Sequence, residues 1–301
     1  MPLPPIPDLS PGDIREASWN ELRPLFQELV DRPIDGDARF AAWLADWSRL
    51  DETVTEAAAL ATIGYTCDTT DPAKEAAHLR FSGEILPQLE EMEVHLARRL
   101  VASGRGQPGM EVALRQFRTA IEIFREENVP LLTEIENHAT RYQKVTGSLT
   151  VLWDGEERTL PELQPYLQDP DRAVRERAFR LGCEVYASVR DELAGVFDQL
   201  FALRVQVARN AGFADVEAYS FRSNCRFDYT PDDCRRFHEA VETVVVPAVD
   251  RLMARRRERL GVASLRPWDV GPDPEGRPPL RPFGAVDELI RTGHTVFQRV
   301  A

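Results

Sequence analysis

The chain has 301 residues, 43% of them hydrophobic and 29% charged, which is enough apolar sequence to bury a substantial core in one large domain or two. Its formal net charge of −13 argues against a nucleic-acid backbone as the main partner, because phosphate binding draws on clustered Lys and Arg. The four cysteines, Cys67, Cys183, Cys225 and Cys234, show neither C-x-x-C spacing nor a secretory disulfide pattern, so reduced thiols and a cytoplasmic location are the expectation.

The opening MPLPPIPDLSPGD has neither the basic start nor the apolar run of a signal peptide or anchor, and no stretch is long enough to span a bilayer. Its prolines suggest an extended arm, which with a first helix makes up residues 1–36. Apolar residues then recur at Phe40, Trp43, Trp47, Leu50, Val54, Ala57 and Ala61, a three-four alternation that predicts a long helix-pairing seam. Gly64 to Thr70 breaks it. Asp71 and Pro72 restart a helix carrying Leu79, Leu86, Leu89, Leu96 and Leu100. The two are expected to form a long antiparallel hairpin, a prong on the order of 40 Å at about 1.5 Å per residue, within a region spanning 37–145.

Gly104 to Gly109 reads GRGQPG, a literal G-x-G-x-x-G. A dinucleotide site needs a strand before that motif, and here a helix precedes it, so the segment reads as an interhelical loop. A further helical run starts at Met110, with Phe117, Ile121 and Phe124 leading to Leu131, Leu132 and Ile135, and Pro130 is expected to kink it.

The texture changes in the region 146–264. SLTVLW and EERTL flank Asp154-Gly155, the dipeptide best suited to a two-residue turn, which predicts one small β-hairpin at about 148–159 in an otherwise mainly α protein. Asp169-Pro170-Asp171 caps the helix RAVRERAFRLGCEVYASV. Phe197, Leu200, Phe201, Leu203, Val205 and Val207 predict a helix that is mostly buried, stopped by Gly212 with Phe213 folded back on its last turn. A short helix follows from Asp215, and Thr230, Pro231 and Asp233 predict a capping box for the next. Arg255 to Arg257 lies beside Asp250 and Glu258 and reads as a solvated helix face.

In the last region, 265–301, six prolines between Leu265 and Phe283 predict an ordered loop or linker. Val286, Leu289, Ile290, Phe297 and Val300 then form an amphipathic stripe that runs to the last residues, as though the chain stopped within an element.

Catalytic chemistry is hard to place. The five histidines, His78, His95, His138, His238 and His294, include no pair four residues apart, so no H-E-x-x-H exists. His238 and Glu242 share a helix face, but two ligands without a third read as an exposed face. There is no G-x-S-x-G and no G-x-x-x-x-G-K, and the carboxylate pairs Glu90-Glu91 and Glu126-Glu127 are adjacent on helices and read as solvated.

Several motifs nevertheless converge. Arg204 to Phe213 (RVQVARNAGF), Ala218 to Phe221 (AYSF), Asp228 to Pro231 (DYTP), the looser run from Thr159 to Tyr166, Asp169 to Phe179 and Arg266-Pro267-Trp268-Asp269 together resemble the oligoendopeptidase F family of zinc oligopeptidases. That resemblance covers the chain from beginning to end and implies the N-terminal half of such an enzyme. It implies zinc in the complete enzyme, short peptides as substrates and a missing C-terminal catalytic half as partner. The metal ligands and general base would lie beyond Ala301. No catalytic or metal residue is therefore assigned here, and the chain alone is expected to be inactive. A Trp in a Pro-rich loop is by itself a packing anchor; the resemblance makes Arg266, Trp268 and Asp269 candidates for the wall of a substrate channel. A non-catalytic helical scaffold and one subunit of a two-chain metallopeptidase remain alternatives. A truncated gene and a split gene would look the same.

Overall fold

The computed structural model describes residues 9–106, 108–278 and 280–300. The first eight residues of the proline-rich arm, and Gln107 in the GRGQPG loop, lie outside the described residues. The chain is mainly helical. In order it forms α1 (Trp19–Asp31), α2 (Asp37–Cys67), α3 (Pro72–Leu79), α4 (Leu86–Ala102), α5 (Glu111–Ile123), α6 (Val129–Gly147), β1 (Thr150–Trp153), β2 (Glu156–Thr159), α7 (Arg172–Ser188), α8 (Arg190–Asn210), α9 (Val216–Ser223), α10 (Pro231–Ala240), α11 (Val246–Leu260) and α12 (Val286–Val300). It divides into two compact units, one running to Leu149 and resuming over Val189–Phe237, the other comprising Thr150–Ser188 and His238 onward.

The first unit is built on the predicted seam. Phe40, Trp43, Trp47, Leu50, Val54 and Ala57 of α2 are buried, together with Trp19, Leu22, Phe26 and Leu29 of α1 and Leu89, Leu96 and Leu100 of α4. After Asp68 the chain turns, and α3 packs along α2. The Asp71 carboxylate accepts from the Ala73 and Lys74 amides, the cap that Asp71-Pro72 predicted. Between α3 and α4 the helix continues through a π turn, Arg80–Ile85, which periodicity did not reveal. Its cause is Pro87, which has no N–H to return to the Gly83 carbonyl; the Thr133 hydroxyl of α6 approaches that carbonyl instead, at 3.4 Å. A second π turn, Val241–Val245, likewise precedes Pro247 of α11.

Pro130 does not kink a continuous helix. The run breaks at Phe124, passes through a 3-10 turn at Glu126–Asn128, and restarts with Pro130 at the second position of α6, where no N–H is required. At the end of α8, Gly212 takes φ of 86° and the Phe213 amide bonds the Ala208 carbonyl, closing the helix as expected. The capping box of α10 is also present: the Thr230 amide donates to the Asp233 carboxylate at 2.8 Å and the Asp233 amide returns to the Thr230 hydroxyl at 3.3 Å.

A second expectation for this unit also fails. The α8 helix is not mostly buried: Val196, Val207 and Ala208 are covered, but Phe197 is 62% and Phe201 54% exposed, with their rings stacked at 6.2 Å. Packing against α6 covers one face of α8, and the apolar residues on another azimuth are left open.

The second unit carries the small sheet. β1 and β2 pair antiparallel, Thr150 opposite Thr159 and Trp153 opposite Glu156, around a two-residue turn in which Asp154 and Gly155 both take positive φ. Val151 and Trp153 point to one face and join Leu163 and Ala178 in a compact core. Trp153 packs on Tyr166 at 4.5 Å, and the Arg177 guanidinium lies 4.2 Å from the Trp153 ring centre. In α12 the apolar stripe is present but bare, with Phe297 76% exposed.

Candidate functional site

In the second unit two of the sequence motifs meet. Arg172 and Arg175 of α7 converge on Asp269, 97 and 94 residues further along the chain. Arg172 engages the carboxylate as a fork, Nε to Oδ1 at 2.9 Å and a terminal nitrogen to Oδ2 at 2.8 Å. Arg175 reaches Oδ1 at 3.3 Å and also donates to the carbonyls of Trp268, Asp169 and Pro170. The Arg266 amide adds a third donor to the carboxylate at 2.9 Å, and Arg256 donates to the carbonyls of Asp269 and Pro272. Asp269 is inaccessible to solvent. The Arg172 hydrogen bond, above all, lowers its pKa to about 2; the Arg266 amide and the charge of Arg172 follow, against burial, which raises it.

Beside this knot lies a cavity of about 420 Å³ lined by Arg172, Glu176, Arg180, Arg266, Pro267 and Trp268. Trp268 is buried, in contact with Phe179 at 5.6 Å, with the guanidinium carbons of Arg180 and Arg172 at 5.1 and 5.8 Å from its ring centre. Its indole Nε1 is buried without a hydrogen-bond partner among the described residues. The three residues singled out by sequence are thus placed differently: Asp269 has its oxygens engaged, Trp268 is packed, and Arg266 presents an exposed side chain. Sequence reasoning missed Arg172, Arg175 and Arg180 as their neighbours. The R-x-x-R spacing on α7 was visible, but nothing local paired it with a carboxylate so far along the chain.

The first unit offers two further features. An apolar groove of about 370 Å³ lies between α6 and α8, lined among others by Ala139, Tyr142, Leu193, Val196, Phe197 and Leu200. Between α2 and α4, Glu93 and Asp51 share a hydrogen bond. Burial, then that hydrogen bond and the charges of Asp51 and Glu90, push the Glu93 carboxyl up to about 9, so it holds a proton at neutral pH. Glu90 departs from its reading as a simply solvated group. Its side chain reaches solvent, yet crowding by protein raises its carboxyl, and its charge adds to burial in raising the Tyr219 hydroxyl. The members of the acid pair are distant in sequence, and no local spacing announced them.

The histidines do not gather. His78 is buried, stacked on Tyr65 at 4.9 Å, hydrogen-bonded with Thr62 and Thr140, and lies 3.7 Å from Glu136; burial lowers its pKa. His138 lies 3.9 Å from Glu134 on the same helix. Among the described residues no group of three or more His, Cys, Asp or Glu could hold a metal ion, so the residues present do not fit a zinc centre. All four cysteines are free, and no helix among the described residues is long and apolar enough to cross a membrane.

Comparison with known proteins gives a consistent answer. Residues 13–123 match the Peptidase M3 N-terminal domain, and residues 165–275 match Peptidase family M3. No curated protein matches the chain. Among solved structures, the fold is similar to a protein assigned as oligoendopeptidase F, with TM-score 0.86 and 24% identity over 97% of this chain and 53% of that one. PZ peptidase A, solved with an inhibitor, gives TM-score 0.86 and 23% identity over 94% of this chain and 51% of its own. A Bacillus anthracis protein with the same oligoendopeptidase F assignment gives 0.81 and 21% over 94% and 53%. At these identities the likeness is one of fold. The chain spans about half the length of each solved protein, matching the N-terminal half.

Proposed function

Since the chain belongs to peptidase family M3, whose members are zinc-dependent, we propose that it forms the N-terminal helical portion of a cytoplasmic oligoendopeptidase that cleaves short peptides. The observation that carries this reading is the fold match, which takes in 97% of this chain and 53% of a protein assigned as oligoendopeptidase F. On this reading the chain contributes one wall of a substrate channel, with the exposed Arg266 side chain at its surface and the buried Trp268 and Asp269 holding the turn behind it. Zinc, its ligands and the water-activating glutamate come from a complementary half bearing H-E-x-x-H. The exposed apolar residues of α8 (Phe197 and Phe201) and, separately, of α12 (Leu289, Ile290 and Phe297) each support contact with a partner.

The test is hydrolysis of a fluorogenic short peptide by the purified 301-residue chain, alone and combined with its complementary zinc-bearing half. Turnover is expected only in the combination and is expected to vanish with a chelator. Zinc-dependent turnover by the chain alone would overturn the division of labour proposed here.

A further inference from the structure

We propose that the cavity between α7 and the Arg266–Asp269 turn is a binding site for a compact oxyanion, a carboxylate or phosphate group, held by Arg172, Arg180 and Arg266 beside Trp268. The site lies within the second unit and does not depend on the peptidase reading.

Three of the six residues lining the cavity are arginines, in a chain whose net charge is −13, so the concentration of positive charge is local. Arg175 beneath brings the guanidiniums to four, against the carboxylates of Asp269 and Glu176. Two positive charges are left over. The arginines also differ in how far they are engaged. Arg172 is committed to Asp269 but keeps 41% of its side chain exposed. Among the described residues Arg180 hydrogen-bonds only to Glu176, one turn earlier at 2.8 Å, an exposed pair of the kind that contributes little and yields easily. The Arg266 guanidinium has no acceptor among the described residues; only its backbone is engaged, the amide donating to the Asp269 carboxylate and the carbonyl accepting from the Asp269 amide. Trp268 adds a buried indole N–H still lacking a partner, in a residue that lines the same cavity. Guanidinium groups present planar pairs of N–H donors that match carboxylate and phosphate oxygens, and the Trp268 face orders two of them. A neutral ligand would leave these charges uncompensated, and a cation would be repelled.

Titration of the full chain with inorganic phosphate, with N-acetyl-diglycine, and with the C-terminal amide of N-acetyl-diglycine tests this, read from the Trp268 indole resonance. Saturable shifts are expected with at least one of the two anions and none with the amide. Response to phosphate alone or to the peptide acid alone identifies which oxyanion the site takes. Arg266→Ala should weaken binding about tenfold, the loss expected for a charge-assisted contact, and Arg180→Ala should act in the same direction. Because Arg266 has no side-chain partner to lose, its replacement should leave the fold intact. Arg255→Ala, which removes an equal charge outside the cavity, should leave affinity unchanged. The proposal is overturned if neither anion gives a saturable shift, if the amide binds as well as the acid, or if Arg266→Ala has no more effect than Arg255→Ala.

Discussion

The two units of this chain are held together by different physics. The first rests on an aromatic core, with Phe40 and Trp43 6.1 Å apart, Trp43 and Trp47 at 5.2 Å, and Trp47 and Phe117 at 5.1 Å. Its buried polar residues, Arg32, Thr53, His78, Thr119, Asn128 and Thr140, are spread along the helices rather than gathered on one carboxylate. The Trp43 indole donates to the Leu29 carbonyl at 2.9 Å, and Arg99 donates to the carbonyls of Leu29, Val30 and Arg32, which end α1 without a glycine cap. The second unit has a much smaller apolar cluster around Trp153 and depends on a directional knot in which Asp269 takes three donors. Apolar burial is non-directional and spreads a loss over many contacts; a buried carboxylate concentrates it in a few hydrogen bonds. The second unit should therefore be the more fragile to a single polar change, and the first to a large truncation.

The largest effect should come from Trp43→Ala, which empties the centre of the first core and is expected to cost about 3–5 kcal/mol in urea unfolding. Hydrogen exchange should show protection lost in α1 and α2, with α7 spared; equal loss in both units would erase the distinction between them. Asp269→Asn should cost about 3 kcal/mol, because it leaves the buried Arg175 charge uncompensated. Its pH dependence follows from the sign of the shift. The folded pKa of about 2 lies below the ordinary 3.8, so the stabilisation is complete above the ordinary value and is lost as pH falls toward the folded one. The wild type and Asp269→Asn should therefore converge between pH 3.8 and about 2.

Glu93, in the first unit, works in the opposite direction. Its carboxyl is raised from 4.5 to about 9, so its contribution is complete below 4.5 and declines as pH rises through that window, where the unfolded chain has ionised and the folded chain has not. Glu93→Gln should stabilise the protein at pH 8 by at least about 1.4 kcal/mol, the equivalent of one pKa unit, and flatten its stability profile above pH 5. A variant less stable than wild type at pH 8 would contradict the protonated pair. The smallest effect is expected from Leu289→Ser with Phe297→Ser on α12. Both side chains are exposed, Leu289 at 45% and Phe297 at 76%, so the free energy of unfolding should change by less than about 0.5 kcal/mol. A large loss would mean that this face is covered within the chain, as a self-contained scaffold would require.

Elements whose causes are short-range were legible from sequence. Asp71-Pro72, Thr230 with Asp233, Asp154-Gly155 and Gly212 each act through atoms a few residues away, so composition and spacing determined the caps, the hairpin turn and the helix stop. The motifs around Arg204, Asp169 and Arg266 were likewise local strings. Even there, proline chemistry was read incompletely: Pro87 and Pro247 mark π turns within continuing helices, whereas Pro130 opens a helix. Tertiary structure alone decided which apolar face of α8 is covered, that Glu93 meets Asp51, and that Arg172 and Arg175 close on Asp269. Burial and the choice of a hydrogen-bond partner depend on segments tens of residues apart being brought together. No periodicity within a helix carries that information.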